Sequence, residues 1–363
     1  MNKKAILVLE DGSVFEGYSF GAGIETCGEV VFNTSMFGYQ EILTDPSYAG
    51  QIVMPTYPMI GNYGINENDF ESKHVHVSGF IVREECEQPS HYQSKTTIHN
   101  YLAGNGVAGI YGVDTRAITR LLRSCGVMHG IITCEKTPQQ ALAELKMKPD
   151  YNNTDFVHKV SCPAAYLWPS EKPADNKYTI AVLDCGLKFS ILRKLSALNC
   201  SLKVFPCDTL ASEILKINPD GVLLSPGPGN PELLDYIVNN VKILAEKKPI
   251  MGICLGNLLI GRAFGAKTFK LKFGHRGSNH PVKELANGRV HITAQNHGFA
   301  LDPDTVANGL EISFINLNDG TVEGVRHKEL PICGIQHYSE ASPGPLDTTC
   351  LFEQFLGMIH KSR

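Results

Sequence analysis

No apolar run in the 363 residues approaches the roughly 20 needed to cross a bilayer as a helix. The opening MNKKAILVLEDG carries two lysines, but its apolar stretch from Ala5 stops at Glu10 and Asp11, too short for a secretory signal core. Both absences make the cytoplasm the expected compartment, with no membrane partner. Basic clustering is missing as well. Lys and Arg number 33 against 37 Asp and Glu, and no stripe of positive charge matches a phosphate backbone, so nucleic acid is not an expected partner. The eleven cysteines include no CxxC pair, which argues against both a disulfide framework and a thiolate zinc site. A reducing environment fits that usage. A phosphate-binding loop is absent too. The nearest match, Gly261 to Thr268 (GRAFGAKT), has Ala266 where the second glycine belongs and follows a helical pattern instead of a strand.

What is present is an ordinary globular composition, 43% hydrophobic and 19% charged, over a length that suits two domains. Ala5 to Leu9 and Val14 to Phe20 are β-rich runs joined through Asp11-Gly12, which predicts an opening hairpin. Val30 to Phe32 and Val107 to Tyr111 read as strands, and Asp114 is placed to cap a helix with Ile118, Leu121 and Leu122 on one face. The first half therefore reads as mixed, irregular and turn-rich. Between Lys148 and Lys177 periodicity fades into Asn152-Asn153, Pro163, Pro169 and Pro173, the composition of a connecting segment. Beyond it β and α alternate: strands at Thr179 to Leu183, Leu202 to Phe205, Gly221 to Leu224 and Ile250 to Ile253, with helical stretches between them. Repeated βα units predict a parallel sheet covered on both faces, with chemistry in the loops after its strands.

One such loop is Gly252-Ile253-Cys254-Leu255-Gly256, where a strand runs into a thiol and then a helix. This is the GxCxG form of a nucleophile elbow: small flanks relieve crowding at a strained bend, and the helix N-terminus favours thiolate. The bland alternative, a buried structural cysteine, suits the other ten better than Cys254. A second loop, Ser225-Pro226-Gly227-Pro228-Gly229-Asn230-Pro231, offers unhindered amides at Gly227 and Gly229. With the amide of Leu255 these could face a developing oxyanion. Gln295-Asn296-His297-Gly298-Phe299 is expected to follow a strand at Val290 to Thr293. Phe273 to His280 forms a second polar cluster. His275, His280 and His297 lack tight ligand spacing and acidic company in the sequence, so hydrogen bonding, not metal ligation, is expected of them.

Together SPGPGNP, GICLG, FGHRGSNHPV, QNHGFA and SEASPGP resemble the class I, triad-type glutamine amidotransferases. GEVVFNTSMFGYQEILTDPSYAGQIV, YPMIGNYG and IYGVDTRAITRLLR narrow the likeness to the small subunits of carbamoyl-phosphate synthetases. The resemblance implies a doubly wound, mostly parallel α/β amidotransferase domain at 178–363. It also implies a mixed β-rich amino-terminal domain at 1–150 that docks on a large subunit, and a linker at 151–177. It implies glutamine hydrolysis through a cysteinyl thioester on Cys254, and ammonia passed to a large subunit that makes carbamoyl phosphate from bicarbonate and ATP. Cofactors are expected only there, as ATP and Mg. Gly227 and Leu255 would offer oxyanion amides. Ser47, Gly229, Asn296, Gly298 and Phe299 would help hold glutamine, Ser47 reaching over from the first domain.

Departures from the family pattern fall on the same site. The family ends its last strand with His, Pro and Glu in succession. Here Glu340 is in place, but Ser339 stands for the proline and Tyr338 for the histidine. A tyrosine, with a pKa near 10, is a poor proton acceptor at neutral pH. His337 is one residue out of position, so it becomes the base only if a bulge re-aims it. After the elbow the family has His then Gln, whereas this chain has Asn257 then Leu258, which would remove a substrate contact worth about 1 to 3 kcal/mol. Two functions follow: a glutaminase subunit working through Cys254, or a scaffold subunit that leaves synthesis dependent on free ammonia. A histidine within hydrogen-bond reach of the Cys254 sulfur favours the first, and Tyr338 in its place favours the second.

Overall fold

The computed structural model describes residues 3–169 and 177–363, so Pro173 and the rest of the expected connecting segment between 170 and 176 lie outside the described residues. The chain divides into two compact units, Met1–Thr154 and Asp155–Arg363. Residues 155–169, expected as linker, belong to the second unit and carry a helical turn at Val157–Val160 and a short strand at Tyr166–Leu167.

The first unit opens with the expected hairpin: Lys4–Leu9 pairs antiparallel with Val14–Gly21, and Gly12 takes the left-handed conformation that the tight turn requires. The irregularity expected of this half resolves into closure. Around the barrel the order is Lys4–Leu9, Val14–Gly21, Ala108–Tyr111, Gly79–Val82, Gln51–Pro55, Thr26–Asn33 and Met128–Thr133. That last strand pairs back onto the first, Ile6 facing Thr133. Phe20, Phe80, Leu43, Ile98 and Leu102 pack outside it with Tyr39 and Tyr48 as one buried cluster. Asp114 caps the helix Thr115–Cys125 by accepting from the Ala117 amide at 2.9 Å, and Ile118 and Leu122 are buried as its periodicity predicts.

In the second unit five strands run parallel in the order Cys200–Pro206, Tyr178–Asp184, Gly221–Leu224, Ile250–Ile253 and Ile332–Ile335. Alternation along them sends Ala181, Leu183, Val222, Leu224 and Ile250 to one buried cluster with the helices Asp235–Ala245 and Leu255–Ala263. Ile180, Val182, Leu223, Met251 and Ile253 go to another with Phe189–Ala197 and Cys350–Ser362. The sheet is doubly wound, as the βα alternation predicts. Antiparallel strands extend it on both sides: Tyr166–Leu167 at one edge, and Val322–His327, Leu310–Asn316, Thr268–Glu284 and Val290–Leu301 beyond Ile332–Ile335.

The last two strands correct the sequence reading. QNHGF does not follow a strand ending at Thr293 but lies inside Val290–Leu301, and FGHRGSNH lies inside Thr268–Glu284. They pair, with His275 opposite His297 and Arg276 opposite Asn296. Register shifts between Lys270 and His275, and between Gly277 and His280, absorb the glycines that made the segment look like loop.

Candidate active site

Four loops gather at the carboxyl ends of the parallel strands: 185–188 after Tyr178–Asp184, 225–231 after Gly221–Leu224, Cys254 after Ile250–Ile253, and 336–340 after Ile332–Ile335. Cys254 has φ 54° and ψ −105°, strained for a residue with a Cβ, and immediately precedes the helix Leu255–Ala263. Its flanks have no room for larger residues. A Cβ on Gly252 would come within 2.4 Å of the Gly256 carbonyl oxygen, and one on Gly256 within 2.4 Å of the Leu224 carbonyl oxygen. The elbow is thus built by steric exclusion, and the Leu255 amide follows it at the helix start.

The Gly227 loop closes on the same place. A Cβ there would meet the Cys185 carbonyl oxygen at 2.1 Å and a Leu255 methyl at 2.7 Å, so only glycine brings this backbone so near the helix N-terminus. Ser225 fixes the loop by accepting from the Cys185 amide at 2.8 Å and donating to the Pro226 carbonyl oxygen at 2.8 Å. Gly229 is left-handed, φ 88°.

The thiol is 2% exposed. It donates to the Asn296 carbonyl oxygen at 3.5 Å, and the Gln336 amide nitrogen approaches the sulfur at 3.7 Å. Asn257 orients that amide by donating to Gln336 Oε1 at 2.8 Å. Leu258, in the slot where the resemblance places a glutamine, is packed in the apolar cluster with Leu255, Leu259 and Phe299. With so little surface, Cys254 should react with a disulfide-exchange reagent about 10²-fold or more slowly than exposed Cys125 and Cys350, because modification waits on local opening. Time-resolved labelling read by mass spectrometry checks this.

His337 does not reach Cys254. The strand alternation holds at 336 and 337: Gln336 meets the sulfur, while the His337 ring packs edge-on to Phe314, 5.7 Å between centroids, with Nδ1 3.9 Å from Glu323 Oε2. No bulge re-aims it, and burial pushes its pKa down to about 4, against the pull of Glu323. Tyr338 is 2% exposed in the same buried cluster as Cys254, its amide donating to the Ala294 carbonyl oxygen at 2.9 Å.

Glu340, the one residue of the family's His, Pro and Glu succession that is in place, pairs with Lys188. The ammonium lies 2.5 Å from Glu340 Oε1, 2.5 Å from the Ser342 carbonyl oxygen and 4.0 Å from the centre of the Tyr338 ring, with both charged side chains fully buried. Lys188 escaped the sequence reading because its partner is 152 residues away. Its only signal was its place directly after a strand and a Gly-containing turn. Lys188→Met should destabilise the fold by about 3 to 5 kcal/mol, since it strands a buried carboxylate. Lys188→Met with Glu340→Leu should recover most of that loss, and urea denaturation of the two variants measures both effects.

Ser47 lies in the first unit, in the turn Pro46–Tyr48, its amide bonded to Asp45 Oδ1 at 2.9 Å and its hydroxyl buried with no hydrogen-bond partner among the described residues. The histidines acquire the acidic company their sequence neighbourhood lacks. His275 Nε2 lies 2.7 Å from Asp319 Oδ2 and Nδ1 3.5 Å from Glu323 Oε1, while His297 Nε2 is 4.0 Å from the same Glu323 oxygen. Burial disfavours charge on His275, but hydrogen bonds to Asp319 and Glu323 outweigh it and hold the pKa up to about 9. Burial and the neighbouring His275 push His297 down to about 3.

A strained thiol between strand and helix, with Gly227 packed against Leu255 at the carboxyl ends of a doubly wound sheet, fits a class I glutamine amidotransferase domain, and the family model described as "Glutamine amidotransferase class-I" matches residues 181–358. The model described as "Carbamoyl-phosphate synthase small chain, CPSase domain" matches residues 7–132. The chain is 49% identical to the carbamoyl phosphate synthase small chain of Aquifex aeolicus, covering 99% of each. It is 50% identical to that of Clostridium perfringens, over 97% of this chain and 99% of the relative. The chain belongs to the carbamoyl-phosphate synthase small chain family.

Among the described residues, no helix is long and apolar enough to cross a membrane.

Proposed function

We propose that this chain is the glutamine-hydrolysing small subunit of a carbamoyl-phosphate synthetase, acting in the cytoplasm with a large subunit that holds the ATP and Mg sites. The observation that carries the reading is Cys254 at positive φ between strand and helix, with Leu255 next in the chain and Gly227 packed against Leu255. In this reading the Cys254 sulfur attacks the side-chain carbonyl carbon of glutamine. The Leu255 and Gly227 amides receive the negative oxygen, and ammonia departs to leave a thioester that water converts to glutamate. Gly229, Asn296, Gly298 and Phe299 are the proposed glutamine contacts within the second unit. The base is the unassigned part, because His337 faces Glu323 and Glu340 is held by Lys188.

That gap supports a second reading, in which the subunit is a scaffold and the complex draws on free ammonia. It rests on one observation: Tyr338, not an imidazole, shares the buried cluster with the thiol. Reconstitution with the large subunit separates the two. Glutamate release coupled to glutamine-dependent carbamoyl phosphate formation is the expected result, and full ammonia-driven synthesis without glutamate would establish the scaffold.

A further inference from the structure

Behind the elbow, three strands bury a polar cluster that the glutaminase chemistry does not use. We propose that His275, His297, His337 and Glu323 form a closed site for one zinc-type divalent cation. Glu323 is fully buried at the centre, and each imidazole turns one nitrogen toward its carboxylate: His275 Nδ1 at 3.5 Å, His297 Nε2 at 4.0 Å and His337 Nδ1 at 3.9 Å. The ligand atoms of His275, His297 and Glu323 lie within 4.8 Å of one another. Ligands of a tetrahedral zinc with bonds near 2.0 to 2.1 Å sit about 3.3 Å apart, so side-chain rotations of about 1 Å bring these three together, and His337, whose Nδ1 lies nearest the other carboxylate oxygen, Oε2, swings further to join as the fourth.

Three further features favour a cation over a purely protein network. The far nitrogens of two histidines are already held as they are around metals, His275 Nε2 by the Asp319 carboxylate at 2.7 Å and His297 Nδ1 by the Phe299 carbonyl oxygen at 2.8 Å. The Phe299 and Gln295 oxygens can both only accept, so a neutral His297 leaves one ring lone pair facing an oxygen, and with the proton on Nδ1 that lone pair is at Nε2. That lone pair meets another acceptor, Gln295 Oε1, at 3.0 Å, a contact that a cation at Nε2 relieves. Finally, His337 is fully buried beside Glu323 with neither ring nitrogen hydrogen-bonded among the described residues, an imidazole whose lone pair meets no described partner.

Glu323 keeps outer support as a ligand would, with Gln295 donating to Oε2 at 2.8 Å and Asn316 to Oε1 at 2.9 Å. Asn316 also lies 3.5 Å from His275 Nδ1. Three imidazoles and a carboxylate suit zinc better than magnesium, which prefers oxygen. Four protein ligands leave no open position, so the role is structural, tying the strand of Asn296 and the loop of Gln336 to the sheet behind Cys254.

The test uses the full-length chain, stripped with chelator and titrated with Zn²⁺ against a chromophoric competitor, with elemental analysis after desalting. One zinc per chain is expected, retained in Cys254→Ser so that the thiol is not the ligand, with no uptake of Mg²⁺. Saturation should raise the unfolding midpoint by about 5 °C or more. His337→Phe, whose ring suits the neighbouring Phe314, and Glu323→Gln should each weaken zinc binding roughly tenfold or more. If Glu323→Gln fails to fold, His337→Phe decides alone. No zinc bound by the wild-type chain, or equal binding by folded His337→Phe, overturns the proposal and leaves the cluster held by a proton on His275.

Discussion

A Tyr338→His/Ser339→Pro double variant should release glutamate from glutamine about 10²-fold faster than the unaltered chain. A positioned general base contributes roughly 10² to 10⁴ in rate. The gain is placed at the lower end because Glu340, which would orient the new imidazole, already gives Oε1 to Lys188 at 2.5 Å. Tyr338 lies in the same buried cluster as the thiol, whereas His337 would have to leave Phe314 and Glu323. Steady-state kinetics of the reconstituted complex distinguish two defects. Restoring a base raises kcat, and restoring a lost substrate contact, as in Leu258→Gln, lowers KM. An unchanged kcat in the double variant would mean that proton transfer does not limit turnover.

Cys254→Ala should abolish glutamine-dependent carbamoyl phosphate formation, a loss of about 10³-fold or more, while synthesis from ammonia is retained. The asymmetry arises because the substitution removes one sulfur from an interior that otherwise keeps its backbone. The elbow is fixed by Gly252, Gly256 and the hydrogen bond that the Cys254 backbone amide donates to the Ile335 carbonyl oxygen at 2.7 Å, none of which needs the thiol. Parallel assays with glutamine and with ammonium chloride give both numbers from one preparation. Equal glutamate release by Cys254→Ala and wild type would remove the nucleophile assignment.

The legible parts of the sequence were those governed by local rules. Gly221–Leu224 and Ile250–Ile253 coincide with the strands expected, because short apolar runs in an alternating βα pattern leave little choice. The elbow was legible for the same reason, a strand, two glycines and a helix being contiguous. What could not be read depends on partners far along the chain. Barrel closure needs Ile6 to find Thr133, and the ion pair needs Lys188 to find Glu340. The ribbon carrying FGHRGSNH and QNHGF was misread because its glycines and polar residues mimic loop composition. In the folded chain His275, Arg276, Gln295, Asn296 and His297 are buried, and residues 275–277 pair with 295–297 across the two strands. Glu323 went unnoticed because nothing near it in sequence shows that three histidines converge on it.

Because Met128–Thr133 returns to Lys4–Leu9, the barrel of the first unit leaves no row of unsatisfied amides and carbonyls along a rim strand. Another polypeptide therefore cannot extend this barrel by adding a strand of its own, and whatever binds there must read side chains and turns, contacts that can be altered one residue at a time without unravelling the wall behind them.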